Sequence, residues 1–274
     1  MRKIDLHVHT NFSDGLYSPE EVLELAKDRE YDVLAITDHD NIDGYLQIRN
    51  YAELLGIELI PGVEISTLHR QRDTHILAYH FDPENKALRE LLKAIYDSRF
   101  GRAMAIIGKL NERGIKIDIE KVQSYAGRNN YLGRPHIARA LIETGYCTDK
   151  YEAFDLHLGE HCYAYVPKYA PSAQTAISVI HQAGGIAVLA HPFTLGNDSL
   201  ISELIAFGID GMEVFYAKCN DETIYHYSII AKENGLIRTG GSDFHGDGFD
   251  MEIFGNFSAP EKVLHEMQRS KSNE

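Results

Sequence analysis

Residues that commonly bind metal ions recur along this chain where successive short apolar segments end. Nine such positions are His7, His9, Asp14, His39, Glu64, His75, His191, Asp243 and His245. Four ligands fill a zinc site and about six fill an octahedral site, so nine are too many for one ion. The pattern therefore predicts two or three ions that share a bridging carboxylate, an arrangement that is mainly useful for hydrolysing phosphate esters.

The apolar segments alternate with amphipathic ones, and this alternation limits the fold. Strands are predicted over residues 4–10, 33–37, 58–66, 75–80, 186–190, 211–216 and 237–240. Helices are predicted to start at Ser18-Pro19-Glu20-Glu21, which offers an N-cap, an N1 proline and an N3 glutamate, and after Pro171-Ser172. The alternation indicates parallel strands joined by helical crossovers. Seven strands predict an α/β barrel one unit short of eight, with its chemistry at the C-terminal strand ends.

The alternation breaks between about residues 98 and 168, where helical periodicity continues without a convincing strand. We interpret residues 98–168 as a helical insert domain between the fourth and fifth strands. Residues 1–97 and 169–274 then form a discontinuous barrel domain. The insert is expected to cap the mouth of the barrel.

Charge and cysteine content limit the partners and the compartment. The formal net charge of −14 argues against a broad electrostatic grip on long duplex nucleic acid, whereas bound divalent ions would still attract a small anion. The cysteines, Cys147, Cys162 and Cys219, form no CxxC motif and favour a reducing interior. MRKIDLHVHT lacks an apolar signal segment, and no apolar run approaches the roughly 20 residues of a membrane span. A cytoplasmic protein without membrane contact or an obligate protein partner is expected.

The order of the short motifs is more specific than any one of them. HxHxxxSDG at the start is followed by TDHD, GVEIS, AHP and SDFH. This series resembles the PHP (polymerase and histidinol phosphatase) family of metal-dependent phosphoesterases over nearly the whole chain. The insert and its GRPHIARAL run resemble the branch that hydrolyses nucleoside 3′,5′-bisphosphates and trims short RNA from the 5′ end. The resemblance implies a distorted (β/α)7 barrel and a small nucleotide or short oligonucleotide as substrate.

The resemblance also implies how the nine ligands divide among the ions. The first ion would take His7, His9, Glu64 and Asp243; the second Glu64 as a bridge, with His75 and His191; the third Asp14, His39 and His245. Mixed imidazole and carboxylate ligation suits Mn²⁺, the first expectation, as well as Fe²⁺ or Zn²⁺. A hydroxide held by these ligands would attack phosphorus, and Asp243 is counted among the catalytic groups. The general acid is left open.

A second phosphate on the substrate needs its own donors. Arg134 and His136 in GRPHIARAL are the first candidates, because a guanidinium presents a planar fork that matches phosphate oxygens. Lys168, Arg99 and Arg102 are further candidates, although helix arginines are usually solvated. A surface helix start is the alternative interpretation of Arg134 and His136. Among the insert tyrosines 125, 131, 163 and 165, one could stack on a base, but core packing is the more common role.

Two other functions remain compatible with the motifs. Histidinol-phosphate phosphatase would share the barrel and the metals. Arg134 and His136 favour a substrate that carries a second phosphate over histidinol phosphate. A non-catalytic PHP module, like those attached to some DNA polymerases, would be expected to lack some ligands, and here none is missing.

Overall fold

The structure, a computed structural model, describes residues 2–126 and 132–271. It divides into two compact units. The barrel unit comprises Met1–Leu92 and Pro171–Glu274, and the insert unit comprises Lys93–Ala170. The residues interpreted from the sequence as an insert, 98–168, fall within the second unit.

Seven strands form one sheet in the barrel unit, and they follow one another in chain order. They are β1 (Ile4–Val8), β2 (Val33–Ile36), β3 (Glu58–His69), β4 (Arg72–Tyr79), β5 (Ile186–Leu189), β6 (Gly211–Tyr216) and β7 (Ile237–Gly241). The two edges approach each other just beyond β7, where the Asp243 N–H donates to the His7 carbonyl at 2.9 Å and the His9 N–H donates to the Phe244 carbonyl at 2.9 Å. The sheet therefore nearly closes into a seven-stranded α/β barrel.

All the predicted strands are present, but the prediction that they are parallel is wrong for β4. This strand pairs antiparallel with both β3 and β5, whereas the pairs β1–β2, β2–β3, β5–β6 and β6–β7 are parallel. Only Arg70 and Gln71 separate β3 from β4, and both have positive φ, at 51° and 62°. A two-residue loop closes a hairpin, whereas a parallel crossover needs a dozen or more residues.

The helices of the described residues are numbered in chain order. They are α1 (Pro19–Asp28), α2 (Asp43–Leu55), α3 (Lys86–Glu112), α4 (Ile119–Gln123), α5 (Arg134–Glu143), α6 (Lys150–Ala153), α7 (Ala173–Gln182), α8 (Ser199–Ala206), α9 (Asp221–Glu233), α10 (Gly248–Asn256) and α11 (Lys262–Lys271). A π-helical turn covers Phe154–Leu158, and a 3₁₀ turn covers Pro192–Leu195. None of the described helices has the length and apolar character needed to cross a bilayer.

The predicted helix starts are confirmed at atomic detail. Ser18 is the N-cap of α1, and its N–H donates to Glu21 Oε2 at 2.7 Å, which completes a capping box. At α7 the Ser172 hydroxyl accepts from the Thr175 N–H at 3.1 Å. Both caps satisfy backbone donors that the first turn of a helix leaves without a partner.

Each unit has its own apolar core. Along β2, Val33 and Ala35 join one buried cluster in the barrel unit, while Leu34 and Ile36 join another with residues of α1 and α2. This is the two-residue alternation of a strand that is buried on both faces. In the insert unit a separate cluster includes Leu110, Val122, Ile137, Leu141 and Leu158.

Candidate metal centre

All nine candidate ligands lie in the barrel unit. His7 is on β1, His9 and Asp14 follow it, His39 follows β2, His191 follows β5, and Asp243 and His245 follow β7. The expectation that every ligand lies at or just after a C-terminal strand end is wrong for Glu64 and His75. Glu64 lies within β3, which continues to His69, and His75 is the fourth of the eight residues of β4. Because β4 is antiparallel, its early residues are level with the later part of β3, where His75 pairs with Ser66.

The Glu64 carboxylate is at the centre of the cluster. Its Oε2 atom lies 3.2 Å from His7 Nε2, from His9 Nε2 and from His39 Nδ1. Its Oε1 atom lies 2.8 Å from His75 Nδ1 and 3.0 Å from His191 Nε2. One buried carboxylate thus contacts five imidazoles through both oxygens, which is the arrangement expected of a bridging ligand.

The other two carboxylates lie beside the same rings. Asp243 Oδ1 is 3.3 Å from His7 Nε2 and 3.2 Å from His9 Nε2. Asp14 Oδ1 is 3.3 Å from His245 Nε2, and Asp14 Oδ2 is 3.9 Å from His39 Nε2. The rings also lie against one another, with the centroids of His9 and His245 4.2 Å apart.

Three groups of ligand atoms lie close enough together to share an ion. The first is His7, His9, Glu64 and Asp243, the second is His9, Asp14, His39 and His245, and the third is His39, Glu64 and His75. The first group has the four residues that the resemblance implies. The second group differs from the implied set because it also contains His9. The third group contains His39 where the implied set has His191, and His191 contacts the cluster through Glu64. Which ion each residue would bind stays a prediction.

Charge and burial oppose each other strongly in this cluster. Burial alone would raise the pKa of Glu64, but the imidazoles of His39, His75 and His7 outweigh it and hold that pKa well below its usual range. Burial likewise opposes the charged form of His9, yet its contacts with Asp243 and Glu64 raise its pKa to about 10. The buried carboxylates therefore favour positive charge beside them, and protons would compete with any metal cation for these ligands.

Three non-glycine residues at or beside the cluster have positive φ. His191 has φ 26° and Asp243 has φ 54°, and Asp40, next to His39, has φ 55°. Side chains other than glycine rarely adopt positive φ, and such conformations cluster at functional sites because surrounding contacts must hold them.

Sequence reasoning missed the buried carboxylates that support the ligands. Glu213 on β6 uses Oε1 to contact His7 Nδ1 at 2.9 Å and Oε2 to accept the His191 N–H at 2.9 Å. Asp5 accepts from the backbone N–H groups of Ser242 at 2.9 Å and His7 at 3.2 Å, and burial raises its pKa to about 7. The available signal was a carboxylate within an otherwise apolar strand.

Two further residues hold ligands from outside the cluster. The Tyr216 hydroxyl donates to Asp243 Oδ2 at 2.8 Å, so that Oδ1 faces His7 and His9. Asp38, which follows β2, accepts from the Thr10 N–H and the Ser13 hydroxyl, each at 2.7 Å. Its position is that of a support for the β1 loop, and burial raises its pKa.

Glycine permits the closest approach in the site. A Cβ atom built on Gly241 would lie 2.2 Å from His7 Cβ and 2.6 Å from His7 N. At Gly62 a Cβ would lie 2.7 Å from the Ile36 carbonyl oxygen. Glycine at position 241 therefore lets β7 pass close beside the candidate ligand His7.

The candidate phosphate-binding residues all lie in the insert unit. Arg134 is the first residue of α5, and its guanidinium lies 5.4 Å from the Phe154 ring centroid and 5.7 Å from that of Tyr165. Its Nη1 donates to the Leu158 carbonyl at 3.1 Å. His136 Nδ1 accepts the Gly133 N–H at 3.0 Å. Both side chains are therefore fixed by neighbours, unlike those of a fully solvated helix start.

The remaining candidates differ in what surrounds them. Arg102 Nε donates to the Val166 carbonyl at 2.8 Å, and its guanidinium lies 5.9 Å from the Tyr165 ring that Arg134 also approaches. Arg99 and Lys168 are half-buried. Tyr125 and Tyr163 pack against the insert core, and Tyr131 lies outside the described residues.

The donor set fits divalent transition metals. His7 Nε2 and His9 Nε2 lie only 3.1 Å apart, and both face Glu64 Oε2 and Asp243 Oδ1. Imidazole nitrogens and carboxylate oxygens in such a mixed set are ligands that Mn²⁺, Fe²⁺ and Zn²⁺ accept. The contact between His7 Nδ1 and Glu213 also follows the carboxylate–histidine pattern that orients metal ligands.

Comparison with known proteins identifies relatives across most of the chain. A 5′-3′ exoribonuclease from Haemophilus influenzae is 37% identical over 270 residues, which is 96% of this chain and 97% of that protein. A 3′,5′-nucleoside bisphosphate phosphatase from Chromobacterium violaceum is 32% identical and covers 90% of this chain and 89% of its own. A phosphoribosyl 1,2-cyclic phosphate 1,2-diphosphodiesterase from Eggerthella lenta is 32% identical over 88% of this chain and 94% of its own.

The fold has a close structural neighbour as well. A crystal structure from Bifidobacterium adolescentis, named for an expected metal-dependent phosphoesterase activity, has a TM-score of 0.84 and 29% identity, and the match covers 98% of this chain and 96% of that one. The PHP domain family model matches residues 5–182, a segment that contains His7, His9, Asp14, His39, Glu64 and His75. The chain belongs to the PHP family and is a metal-dependent phosphoesterase.

Proposed function

We propose that this enzyme releases phosphate from nucleoside 3′,5′-bisphosphates and also trims short RNA oligonucleotides from the 5′ end. The observation that carries the proposal is the Glu64 carboxylate, which meets five imidazoles through its two oxygens. A cluster of this composition suits phosphate-ester hydrolysis, and the names of the Haemophilus influenzae and Chromobacterium violaceum relatives favour these two substrates.

The proposed cofactors are two or three divalent transition-metal ions, with Mn²⁺ the first expectation and Fe²⁺ or Zn²⁺ the alternatives. The residues that would hold them are the nine ligands named above, with Glu64 shared. When bound, such ions supply Lewis acidity and a water whose pKa is far below that of bulk water. Asp243, whose Oδ1 lies beside His7 and His9, is the protein carboxylate that we count among the catalytic groups.

The chain's own residues orient this centre. The contact of Glu213 with His7 Nδ1 directs His7 Nε2 towards Glu64 and Asp243. The Tyr216 hydroxyl occupies Asp243 Oδ2 and leaves Oδ1 facing the imidazoles. Orientation of this kind, fixed before the substrate arrives, reduces the reorganisation that the reaction requires.

The phosphate that is not cleaved is assigned to the insert. Arg134 and His136 are the proposed partners, with Arg102, Arg99 and Lys168 as additional cationic groups. The neighbouring Phe154 and Tyr165 rings and the hydrogen bond to the Leu158 carbonyl limit the rotation of the Arg134 guanidinium. A guanidinium that is held before binding loses less conformational freedom when it forms a bidentate contact with phosphate. We propose a small nucleotide or short oligonucleotide in the cytoplasm, without an obligate protein partner.

The test compares hydrolysis of a 3′,5′-bisphosphonucleotide, histidinol phosphate and phosphoribosyl 1,2-cyclic phosphate by the Mn²⁺-loaded enzyme. Phosphate release reports on the first two substrates, and chromatography follows opening of the cyclic diester to a phosphomonoester. Fastest turnover of the bisphosphonucleotide is expected. Preference for histidinol phosphate would support the other phosphatase activity. Preference for the cyclic diester would align the chain with its Eggerthella lenta relative. Metal analysis of the same sample gives the number of ions per chain.

A further inference from the structure

The turn that follows β7 carries two of the candidate ligands, Asp243 and His245. Asp243 has φ 54°, a conformation that L-residues other than glycine rarely adopt. Such a conformation persists only where surrounding contacts determine it. The geometry of both ligands therefore depends on whatever holds this turn.

Two charged residues outside the cluster hold the backbone of the turn at two points. Lys218 Nζ, from the segment after β6, donates to the Asp243 carbonyl at 3.2 Å. Asp250, in α10, accepts the His245 N–H on Oδ2 at 2.8 Å. Lys218 Nζ and Asp250 Oδ1 then lie 3.0 Å apart and form an ion pair.

Burial makes this pair interdependent. The Asp250 side chain is only 5% exposed and that of Lys218 is 29% exposed. A buried carboxylate that loses its cation becomes an uncompensated charge, so removal of one partner disturbs the other. Lys218 contacts the backbone of the turn at Asp243, and Asp250 contacts it at His245. The ion pair between Lys218 and Asp250 links these two contacts.

We propose that Lys218 and Asp250 are positioning residues that keep the Asp243–His245 turn in its strained conformation and so set the affinity of the metal centre. The proposal rests on the metal centre described under the proposed function. It assigns no contact with the substrate to either residue. It differs from a general stabilising role because it predicts an effect on ion binding in the fully folded protein.

The test measures Mn²⁺ affinity and stoichiometry by titration calorimetry, with the full chain kept well below its unfolding temperature. Lys218→Met should weaken Mn²⁺ binding roughly ten- to a hundredfold, the range typical of residues that support metal ligands. Lys218→Arg should retain most of the affinity. The double variant Lys218→Met/Asp250→Asn should lose less than the sum of the two single losses, because no unpaired charge remains.

Arg238→Met is the matched control. Arg238 pairs with Glu266, their side chains are 25% and 23% exposed, and Arg238 lies near the other end of β7. This variant should lower the unfolding temperature without changing Mn²⁺ affinity. If Lys218→Met does not fold, Asp250→Asn gives the same comparison, because asparagine keeps an acceptor for the His245 N–H and removes only the charge.

Unchanged Mn²⁺ affinity in Lys218→Met or in Asp250→Asn, with a lower unfolding temperature like that of the control, would overturn the proposal. The pair would then stabilise the fold alone. Failure of the unsubstituted protein to bind Mn²⁺ is a separate result, which would overturn the proposed metal centre and this inference together.

Discussion

At the scale of single residues, Glu64 has the most demanding position in the molecule. It is buried, with three imidazole rings around Oε2 and two around Oε1. Glu64→Gln keeps the size of the side chain but removes the charge and turns one acceptor into a donor. Activity should fall by more than the roughly 10–100-fold typical of outer supporting residues, while far-ultraviolet circular dichroism stays unchanged.

The readouts for Glu64→Gln are kcat and bound Mn²⁺ per chain. Loss of more than one ion is expected, because the carboxylate would serve more than one of them. Full retention of metal with normal kcat would remove Glu64 from the centre altogether. Glu203→Gln, a change to a surface glutamate that pairs with Arg70 at 3.0 Å, should leave both readouts unaltered.

Glu213 gives a second prediction at this scale. Both of its oxygens are occupied by groups that belong to His7 and His191. In Glu213→Gln the amide NH₂ must face one of these two groups, so one contact becomes unfavourable. Mn²⁺ affinity, measured by chelator competition, should fall about 10–100-fold. Glu266→Gln, which alters a carboxylate paired with Arg238, is the control; equal effects of the two changes would assign Glu213 to general stability.

Arg134 tests the substrate assignment. If its guanidinium binds the phosphate that is not cleaved, Arg134→Ala should lower kcat/KM for a 3′,5′-bisphosphonucleotide about ten- to a hundredfold, because a charge-assisted hydrogen bond contributes about 1.5–3 kcal/mol. Turnover of a simple aryl phosphate should change little. Steady-state kinetics with both substrates make the comparison.

Arg139 is the matched control for Arg134. It lies on the same helix, pairs with Glu143 at 3.1 Å and has a side chain that is 63% exposed. Arg139→Ala should leave both reactions unchanged. An equal loss of kcat/KM on both substrates in Arg134→Ala would point to folding or to the metal centre. No loss on either substrate would mean that Arg134 does not bind the substrate.

At the scale of elements, strand positions could be predicted because buried β-branched runs differ plainly from amphipathic helices. The direction of β4 could not, since Arg70 and Gln71 adopt the left-handed turn without the glycine or asparagine that usually signals it. This error also hid why His75 joins the cluster from the middle of β4. Glu213 and Asp5 were missed for another reason: a single sequence does not show which buried groups a strand carboxylate will meet.

The contact between β7 and β1 yields a prediction about Gly241. Gly241→Ala would place its Cβ 2.2 Å from His7 Cβ, and the nearby atoms are backbone, so the strands must separate. Overpacking of this kind typically costs about 1–3 kcal/mol, and here it should also displace His7 and weaken Mn²⁺ binding. Thermal unfolding and calorimetry measure the two effects.

Gly248→Ala is the control for Gly241→Ala. A Cβ atom at Gly248 meets nothing within 4 Å, so neither stability nor Mn²⁺ affinity should fall. Normal metal binding by a folded Gly241→Ala protein would show that the strands tolerate the separation and that His7 need not be held so closely.

At the scale of the whole molecule, it was predictable that the candidate ligands lie close together, because the barrel brings distant chain segments together at one edge. His7 and His245 are far apart in sequence, and their common neighbour His9 joins them. The supporting pair Lys218–Asp250 was not predictable, because it holds backbone atoms whose positions exist only after the sheet has closed. Sequence motifs thus identify candidate ligands more directly than the contacts that orient them.

The division into two units predicts where metal should stabilise the protein. All nine candidate ligands belong to the barrel unit, and the insert unit has an independent apolar core. An ion at 100 times its Kd stabilises the folded state by about 2.7 kcal/mol. Mn²⁺ should therefore slow hydrogen exchange in β1 and β7 and raise the unfolding temperature, whereas exchange in α5 should change much less. Chelation should reverse both effects, and an equal slowing in α5 would mean that metal also orders the insert.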